Sequence, residues 1–426
     1  MAIPSDRDLV QLGPFPQGAN NLTLENRVPR GAFRRAVNVD VTDDGRLVRR
    51  DGSEKVLDAD APHSLFGYGA RGFFVEEQTL YGFEVIDGVA TEPVELVTGL
   101  TPDVRLAHCM IEPDIYVSDG DRALRLTPTN EVISWTLPAA QAPALAAGAG
   151  GLDAGRYHVA AAFRSASGEE GPLGFPTTID VVDGSSISIA LPSLPSGYRY
   201  AVYMTKPNGT ELLHAGNVST GSFTVSKQRL GRPSPTEDMD PMPAGQHACL
   251  WNGRLVVGRN NEVWWSEPMM YGLTMGDYNY LVLSEAVTGV GATETSEGFF
   301  VGQGSRTYFL RGANPNDGAL HEVYPAGMVA GTLTYVPGAR LPLEQPPTEL
   351  VPMWMATNGV FCVGLPSGSV LPLSETRYAA QVASEGAAMF DQRAGKNRYI
   401  ATLKNPSENN FALSDSFTAE VIRNGN

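Results

Sequence analysis

A chain of 426 residues with 42% apolar content can bury one large core or two ordinary ones, which excludes a disordered or fibrous protein. The formal charge of −16 argues against wrapping nucleic acid through phosphate neutralisation, which needs clustered Lys and Arg. No run approaches the roughly eighteen apolar residues of a membrane span. The opening MAIPSDRDLVQLGPFPQG carries charges and prolines where a signal peptide needs an apolar stretch, so no membrane anchor is expected and the chain is expected to be made and kept inside the cell.

The charge is uneven. Residues 1–50 hold eight arginines against six acidic residues, so the first 35 residues read as a basic arm on an acidic body. In ENRVPRGAFRR, Arg27, Arg30, Arg34 and Arg35 precede the first convincing strand. Their planar, five-donor guanidinium forks suit carboxylates of a neighbouring subunit or partner protein; a solvated charged face is the plain alternative, and DNA phosphate a third. DVTDDG follows, with Asp40, Thr42, Asp44 and Gly45 spaced like the start of a calcium loop. Thr42 replaces a carboxylate or amide and Asp51 stands where a bidentate Glu is required, so a hairpin turn is expected and no metal. Gly67, Gly69 and Gly72 form a G-x-G-x-x-G, but a strand follows instead of a helix, which leaves a pyrophosphate no helix amino terminus.

From residue 72 onward one kind of text recurs: an apolar strand, a polar turn often containing Gly, and a second strand. GFFVEEQTLYGFEV, DIYVSDGDRALRLT, RLVVGRNNEVWWSE, GFFVGQGSRTYFLR and GVFCVGLPSGSVLPL are the copies, with KNRYIATL a degenerate sixth. Between the apolar triplets that begin at 73, 115, 255, 299, 360 and 398 the steps are 42, 140, 44, 61 and 38 residues. Most approach the roughly 40–50 residues of a four-stranded propeller blade. The step of 140 contains 148–241, whose evenly spaced strands and Gly-, Pro- and Ser-rich turns read as an inserted β-sandwich of the fibronectin type III or immunoglobulin-like kind. Tyr157, Val159, Ala161 and Phe163 are expected to face its core in alternation, and PAAQAPALAAGAGG before it and GRPSPTEDMDPMPAG after it have linker compositions.

The fold class is therefore all-β: a β-propeller of about six blades with an inserted sandwich. Its parts are an arm at 1–35, propeller at 36–147, sandwich at 148–241 and propeller at 242–426. In WNGRLVVGRNNEVWWSEP, GRNN reads as a hairpin turn, because Asn260 and Asn261 tolerate positive φ, and the paired Trp264 and Trp265 as filler between neighbouring blades. One helix is expected, over SETRYAAQVASEGAAMF, with Ser374 as its cap and Glu375 in its first turn. Cys109, Cys249 and Cys362 lie far apart in apolar text and read as reduced packing residues. The sequence holds no G-x-S-x-G elbow, H-E-x-x-H or P-loop, and its six histidines have no ligand spacing. No enzyme and no cofactor is expected.

The order GAFRRAVNVDVTDDGRLVRRDGSEKV, WNGRLVVGRNNEVWWSEP, VTGVGATETSEGFFVGQGSRTYFLRGANPNDGALHEVYPAGMVAGTLTYV and WMATNGVFCVGLPSGSVLPLSETRY resembles the β-propeller tail nozzle or tail hub proteins of short-tailed bacteriophages. The resemblance implies a virion structural protein assembled in the host cytoplasm. It implies a homo-oligomeric ring, commonly a hexamer, that surrounds the DNA exit channel, meets a portal-adaptor protein and carries fibres or spikes. DNA would pass through it without specific binding. A propeller that binds or cleaves carbohydrate is the alternative, for which Ser-x-Asp-x-Gly-x-Thr-Trp boxes would be the mark, and the sequence has none. A tail-tip or baseplate protein of a long-tailed phage is a variant of the first reading.

Overall fold

The computed structural model describes residues 13–37, 39–42, 44–50, 52, 55–194, 196–219, 221–393, 396–407 and 420–423. Within them the regular structure is strand, with three short 3₁₀ turns, at Glu25–Arg27, Pro315–Asp317 and Gly338–Arg340. The chain divides into two compact units. One comprises Met1–Glu77, Phe83–Pro93 and Glu285–Asn426, and the other Gln78–Gly82 and Val94–Ser284.

Four-stranded antiparallel sheets, with their strands hydrogen-bonded in chain order, recur in both units and resemble propeller blades. The first unit contains the sheet Val287–Gly291, Gly298–Gln303, Thr307–Arg311, Ala319–Tyr324 and the sheet Thr334–Pro337, Leu350–Met355, Phe361–Gly364, Val370–Pro372. After them come Glu385–Arg393, Lys396–Lys404 and Glu420–Arg423, paired in that order. The second unit contains Ala107–Ile111, Asp114–Ser118, Ala123–Leu126, Val132–Ser134, and later His247–Trp251, Arg254–Arg259, Glu262–Trp265, Tyr280–Val282. His63–Tyr68 also pairs antiparallel with Arg71–Glu76, and the strand Thr79–Ile86 follows. Its start pairs Leu80 with Val97, and its end pairs Val85 with Ala90.

These sheets bury apolar side chains on both faces and share cores with their successors. Phe300, Phe309 and Met328 pack with Trp354, Ala356 and Cys362 of the following sheet. Val351, Met353, Phe361 and Val363 pack in turn with Tyr399 and Ala401. In the second unit Cys109, Ile111, Tyr116 and Trp135 share a core with Leu255 and Val257. Near-continuous apolar runs such as Phe299–Val301, all fully buried, are what such double-sided burial demands of a strand.

The spacing of the fifth copy is corrected by its pairing. The triplet starting at Val360 leads into the third strand of its sheet, Phe361–Gly364, whereas the second strand is Leu350–Met355. Counting from Val351 turns the steps of 61 and 38 into 52 and 47. Pro352 conceals that strand, since proline has no N–H for the ladder and rarely occupies a central position. It is accommodated here opposite Tyr335 and above Gly291, where an added Cβ would lie 3.1 Å from the Pro352 ring.

The expected helix at 374–390 does not form. A single turn closes where Tyr378 N–H donates to Ser374 O, and the segment then gives its backbone to neighbours. Ala380 N–H donates to Gly359 O, Gly386 N–H to Ala330 O, and Glu385–Arg393 becomes a strand. Tertiary pairing overrides a modest helical preference.

Seven strands between Ala144 and Val225 form two packed sheets, one ordered Ala144–Leu152, Ser185–Ala190, Ser222–Val225 and the other Thr177–Val181, Gly155–Ser165, Tyr198–Met204, Leu213–Val218. Their common core holds Tyr157, Val159 and Ala161, all fully buried, with Phe163 packed at its margin and stacked on Tyr200 at 5.0 Å. The alternation expected of this strand is present. Two other expectations change. The Ala- and Gly-rich text read as a linker is itself a strand, because Leu145 and Leu152 point into the core while its backbone pairs with Ser185–Ala190, so residue 148 falls inside a strand. The first two strands also lie in opposite sheets, whereas in the immunoglobulin arrangement they share one.

Candidate functional site

The basic segment is docked on its own unit. Gly18–Ala19 pairs in parallel with Ala32–Phe33, and Phe15 meets the Phe33 ring edge-on at 5.8 Å. Phe15 N–H donates to Gly45 O at 2.6 Å. Gly45 itself, at φ +78°, would place a Cβ 2.7 Å from Pro16 N, so only glycine allows this approach. Asn21 clasps the far end of the unit: its Nδ2 donates to Ala379 O at 2.8 Å, its Oδ1 accepts from Ala379 N–H at 3.0 Å, and its own N–H donates to Arg377 O.

This docking separates the four arginines. Arg34 is half-buried and its Nη1 donates to Thr23 O at 3.3 Å, an internal role that tethers the segment. Arg27, at the end of the 3₁₀ turn, Arg30 and Arg35 are exposed, and no ion pair reaches them among the described residues. Three guanidinium groups thus remain on the outside of the docked segment.

The DVTDDG text is a hairpin. Val39–Val41 pairs with Leu47–Arg49, and Thr42 Oγ1 bonds Asp44 and Arg46 across the turn. The Asp40 carboxylate is turned to arginines, with Arg398 Nη2 at 2.6 Å and Arg50 Nε at 3.8 Å. No group of three His, Cys, Asp or Glu able to hold a metal occurs among the described residues. The glycines at 67, 69 and 72 likewise serve a hairpin, in which Gly72 admits the Phe83 ring. Asn260 and Asn261 form the two-residue turn between Arg259 and Glu262, Asn260 at φ +50°. Beyond it Trp265 is buried, while Trp264 points to the opposite face and stacks on Tyr280 at 4.7 Å. Adjacent strand residues diverge in this way, and both still serve packing, Trp264 against the core that holds Tyr116, Trp135, Leu255 and Val257. The three cysteines are buried thiols; burial pushes Cys109 and Cys362 up to about 12, which leaves them as unreactive packing groups.

A polar junction in the second unit escaped sequence reading. Arg125, on a blade-like strand, has a side chain only 15% exposed; its Nη2 lies 2.9 Å from Glu169 Oε2 in the sandwich and its Nε 3.5 Å from Asp114. Its guanidinium stands over the Tyr116 ring at 5.9 Å. Burial alone would lower the Arg125 pKa, but the hydrogen bond and charge of Glu169 outweigh it and raise it. Backbone closes the same junction: a Cβ on Gly171 would lie 2.9 Å from Leu137 Cβ, and one on Gly174 2.2 Å from Ala140 O. The sandwich is held against its neighbouring sheet. No pattern in SGEEGPLG announces this, since Glu169 and Arg125 meet only through tertiary structure.

No family model matches the chain, and no curated protein matches it. Its likeness to solved β-propeller proteins is distant. Kluyveromyces lactis Hsv2p is 8% identical, with 85% of this chain and 98% of that chain covered at a TM-score of 0.32. Citrobacter koseri AztD is 9% identical, with 84% and 87% covered at 0.35. BBS1N, in complex with ARL6DN, is 12% identical, with 80% and 89% covered at 0.33. What can be said of the architecture rests on the chain's own strand order: the chain is an all-β protein whose four-stranded antiparallel sheets resemble propeller blades.

Proposed function

We propose that the chain is a structural component of a bacteriophage tail: a propeller of about six blades that assembles as a ring around the DNA exit channel, meets a portal-adaptor protein and carries fibres or spikes on its inserted sandwich. The observation that carries this reading is the serial arrangement of blade-like sheets with shared cores, interrupted once by a sandwich that closes its own core, in the order of the strand text that resembles tail nozzle proteins. The acidic balance of the chain suits passage of DNA without retention, and Arg27, Arg30 and Arg35 on their docked segment suit a carboxylate-bearing subunit or adaptor surface. A ring requires a head-to-tail contact between two different surfaces. Electron microscopy of the purified chain, alone and in particles that contain it, is the test. Ring-shaped assemblies at a tail end are the expected result, and a particle without the protein, or with a single copy, overturns the reading.

A further inference from the structure

Two exposed surfaces of the first unit are opposite in charge and alike in apolar content. The first is the basic segment with the hairpin that follows it. An added Cβ would lie 3.2 Å from Pro16 Cδ at Gly31 and 2.7 Å from Pro16 N at Gly45, so Pro16 joins segment to hairpin. They expose Arg27, Arg30, Arg35 and Arg49, interleaved with Leu24 and Val48, and among the described residues no ion pair reaches these arginines. Their cations are all arginine, since the first lysine of the chain is Lys55. Arginine among aliphatic side chains, without lysine, is the composition of a protein interface; a phosphate backbone would leave the leucine and valine uncovered. The second surface is the ribbon at 84–92. Asp87 at φ +50° and Gly88 at φ +81° form its turn, Ile86 pairs with Val89, and Thr91 N–H donates to Glu84 O at 2.8 Å. Residues 84–89 are all exposed, and Glu84, Ile86 and Val89 share one face of the ribbon. The ribbon carries the carboxylates of Glu84, Asp87 and Glu92 and no cation, and among the described residues no ion pair reaches them.

Resting on the ring assembly already proposed, we infer that the arginine surface of one copy docks on the acidic ribbon of the next and so supplies the head-to-tail contact. Charge selects the pair. Copies of formal charge −16 repel as wholes, so they meet only where the sign is locally reversed. Residues 1–50, with eight arginines against six acidic residues, carry that reversal at +2, while the remainder of the chain carries −18. Guanidinium forks donate to the carboxylates of Glu84, Asp87 and Glu92 and fix the register. Leu24 and Val48 meet Ile86 and Val89, so the contact also removes aliphatic surface from water. Both surfaces are exposed within one copy, so neither is consumed there. Because they differ, the contact is heterologous and passes from copy to copy.

The test is an exchange of charge between the two surfaces. Arg30→Glu/Arg35→Glu reverses the first and Glu84→Lys/Glu92→Lys the second; all four positions are exposed, and far-UV circular dichroism checks that each variant is folded. Sedimentation velocity of the full chain at low ionic strength, where charge contacts are least screened, reads the assembly. Wild type should associate, and each variant alone should associate about tenfold more weakly or worse. An equimolar mixture of the two variants should associate again, because each reversed surface then meets its complement on the other variant. A wild type that stays monomeric at every concentration, folded variants that assemble as wild type does, or a mixture as weak as its components would each overturn the proposal. Rings that persist in both variants would refute this contact and leave the ring reading intact, whereas electron micrographs of particles without a ring would refute that reading itself.

Discussion

The sandwich and the blade-like sheets use the same strands to opposite ends. The sandwich folds two sheets onto one another, so Tyr157, Tyr200, Val202 and Ile187 supply most of a core between them, with Ala140 and Leu230 from the flanking chain. A blade-like sheet completes nothing alone: Phe300 and Phe309 are buried only because Trp354 and Cys362 of the next sheet cover them. Cooperativity should therefore reside in the shared cores. Damage in a closed core stays local, while damage in a shared core reaches the sheets on both sides.

The largest effect is expected of Trp354→Ala. The side chain is fully buried between two sheets, and its loss should cost about 3–5 kcal/mol. Hydrogen exchange should show opening across Val287–Tyr324 and Thr334–Pro372 together; opening confined to one sheet would refute the shared core. Tyr200→Ala, of similar cost by the same reasoning, should open only residues 144–225. If it loosens the neighbouring sheets equally, the sandwich is no independent core.

A smaller effect is expected at the junction between the two kinds of core. Glu169→Ala leaves the mostly buried Arg125 without its nearer carboxylate and should cost about 1–3 kcal/mol in a urea titration. Removing the charge as well, in Glu169→Ala/Arg125→Met, should recover most of the loss, because an unpaired buried cation is worse than an apolar replacement. No recovery would mean that packing alone sets the cost.

Asp119 provides a pH-dependent test in the second unit. Burial would raise its carboxyl, but backbone N–H groups of Arg122, Thr101 and Asp121 donate to it and hold it below the usual carboxylate value. A depressed pKa contributes stability that is present above the unfolded value, roughly 3.9, and is lost as pH falls through the folded one. Asp119→Asn should therefore flatten the acid limb of the stability curve below about pH 4 while lowering the neutral plateau by about 1 kcal/mol. An unchanged acid limb would remove Asp119 as its cause.

The least change in stability is expected in the arm. Arg35→Ala should leave it within about 0.5 kcal/mol, whereas Arg34→Ala should cost somewhat more because it loses the bond to Thr23 O. The Arg34→Ala/Arg35→Ala double variant should remain folded yet weaken incorporation into particles, with the difference from wild type largest at low salt, where the lost attraction is least screened. Normal incorporation at every salt concentration would make the exposed arginines a merely solvated face.

Blade-like text was legible wherever apolar runs were uninterrupted, as in Arg254–Arg259 and Gly298–Gln303, since double-sided burial writes itself into composition. The turn at Asn260 and Asn261 was legible because its chemistry is local. Leu350–Met355 was concealed by Pro352, and the strand Glu385–Arg393 by alanines that suit a helix equally well. Ala144–Leu152 reads as a linker because small residues suit flexible joints and strands alike, and only Leu145 and Leu152 mark its core face. Arg34 and its exposed neighbours were indistinguishable until Thr23 took one of them. Partners decided by tertiary structure leave no periodic trace.

The clasp of Asn21 on Ala379 carries a consequence for synthesis. Those residues are 358 positions apart, and the second unit lies wholly between them. As the chain emerges, the second unit has all its residues once Ser284 is made, while Asn21 still waits for a partner not yet translated. At roughly 5–20 residues per second the interval lasts several seconds, during which the inner unit can fold and the outer one cannot close. Ribosomes stalled just before Ala379 should carry a protease-resistant second unit with the arm still cleavable, and the released full chain should protect both. Birth order, read from one asparagine, makes the inner unit the first to be finished and the arm the last to be secured.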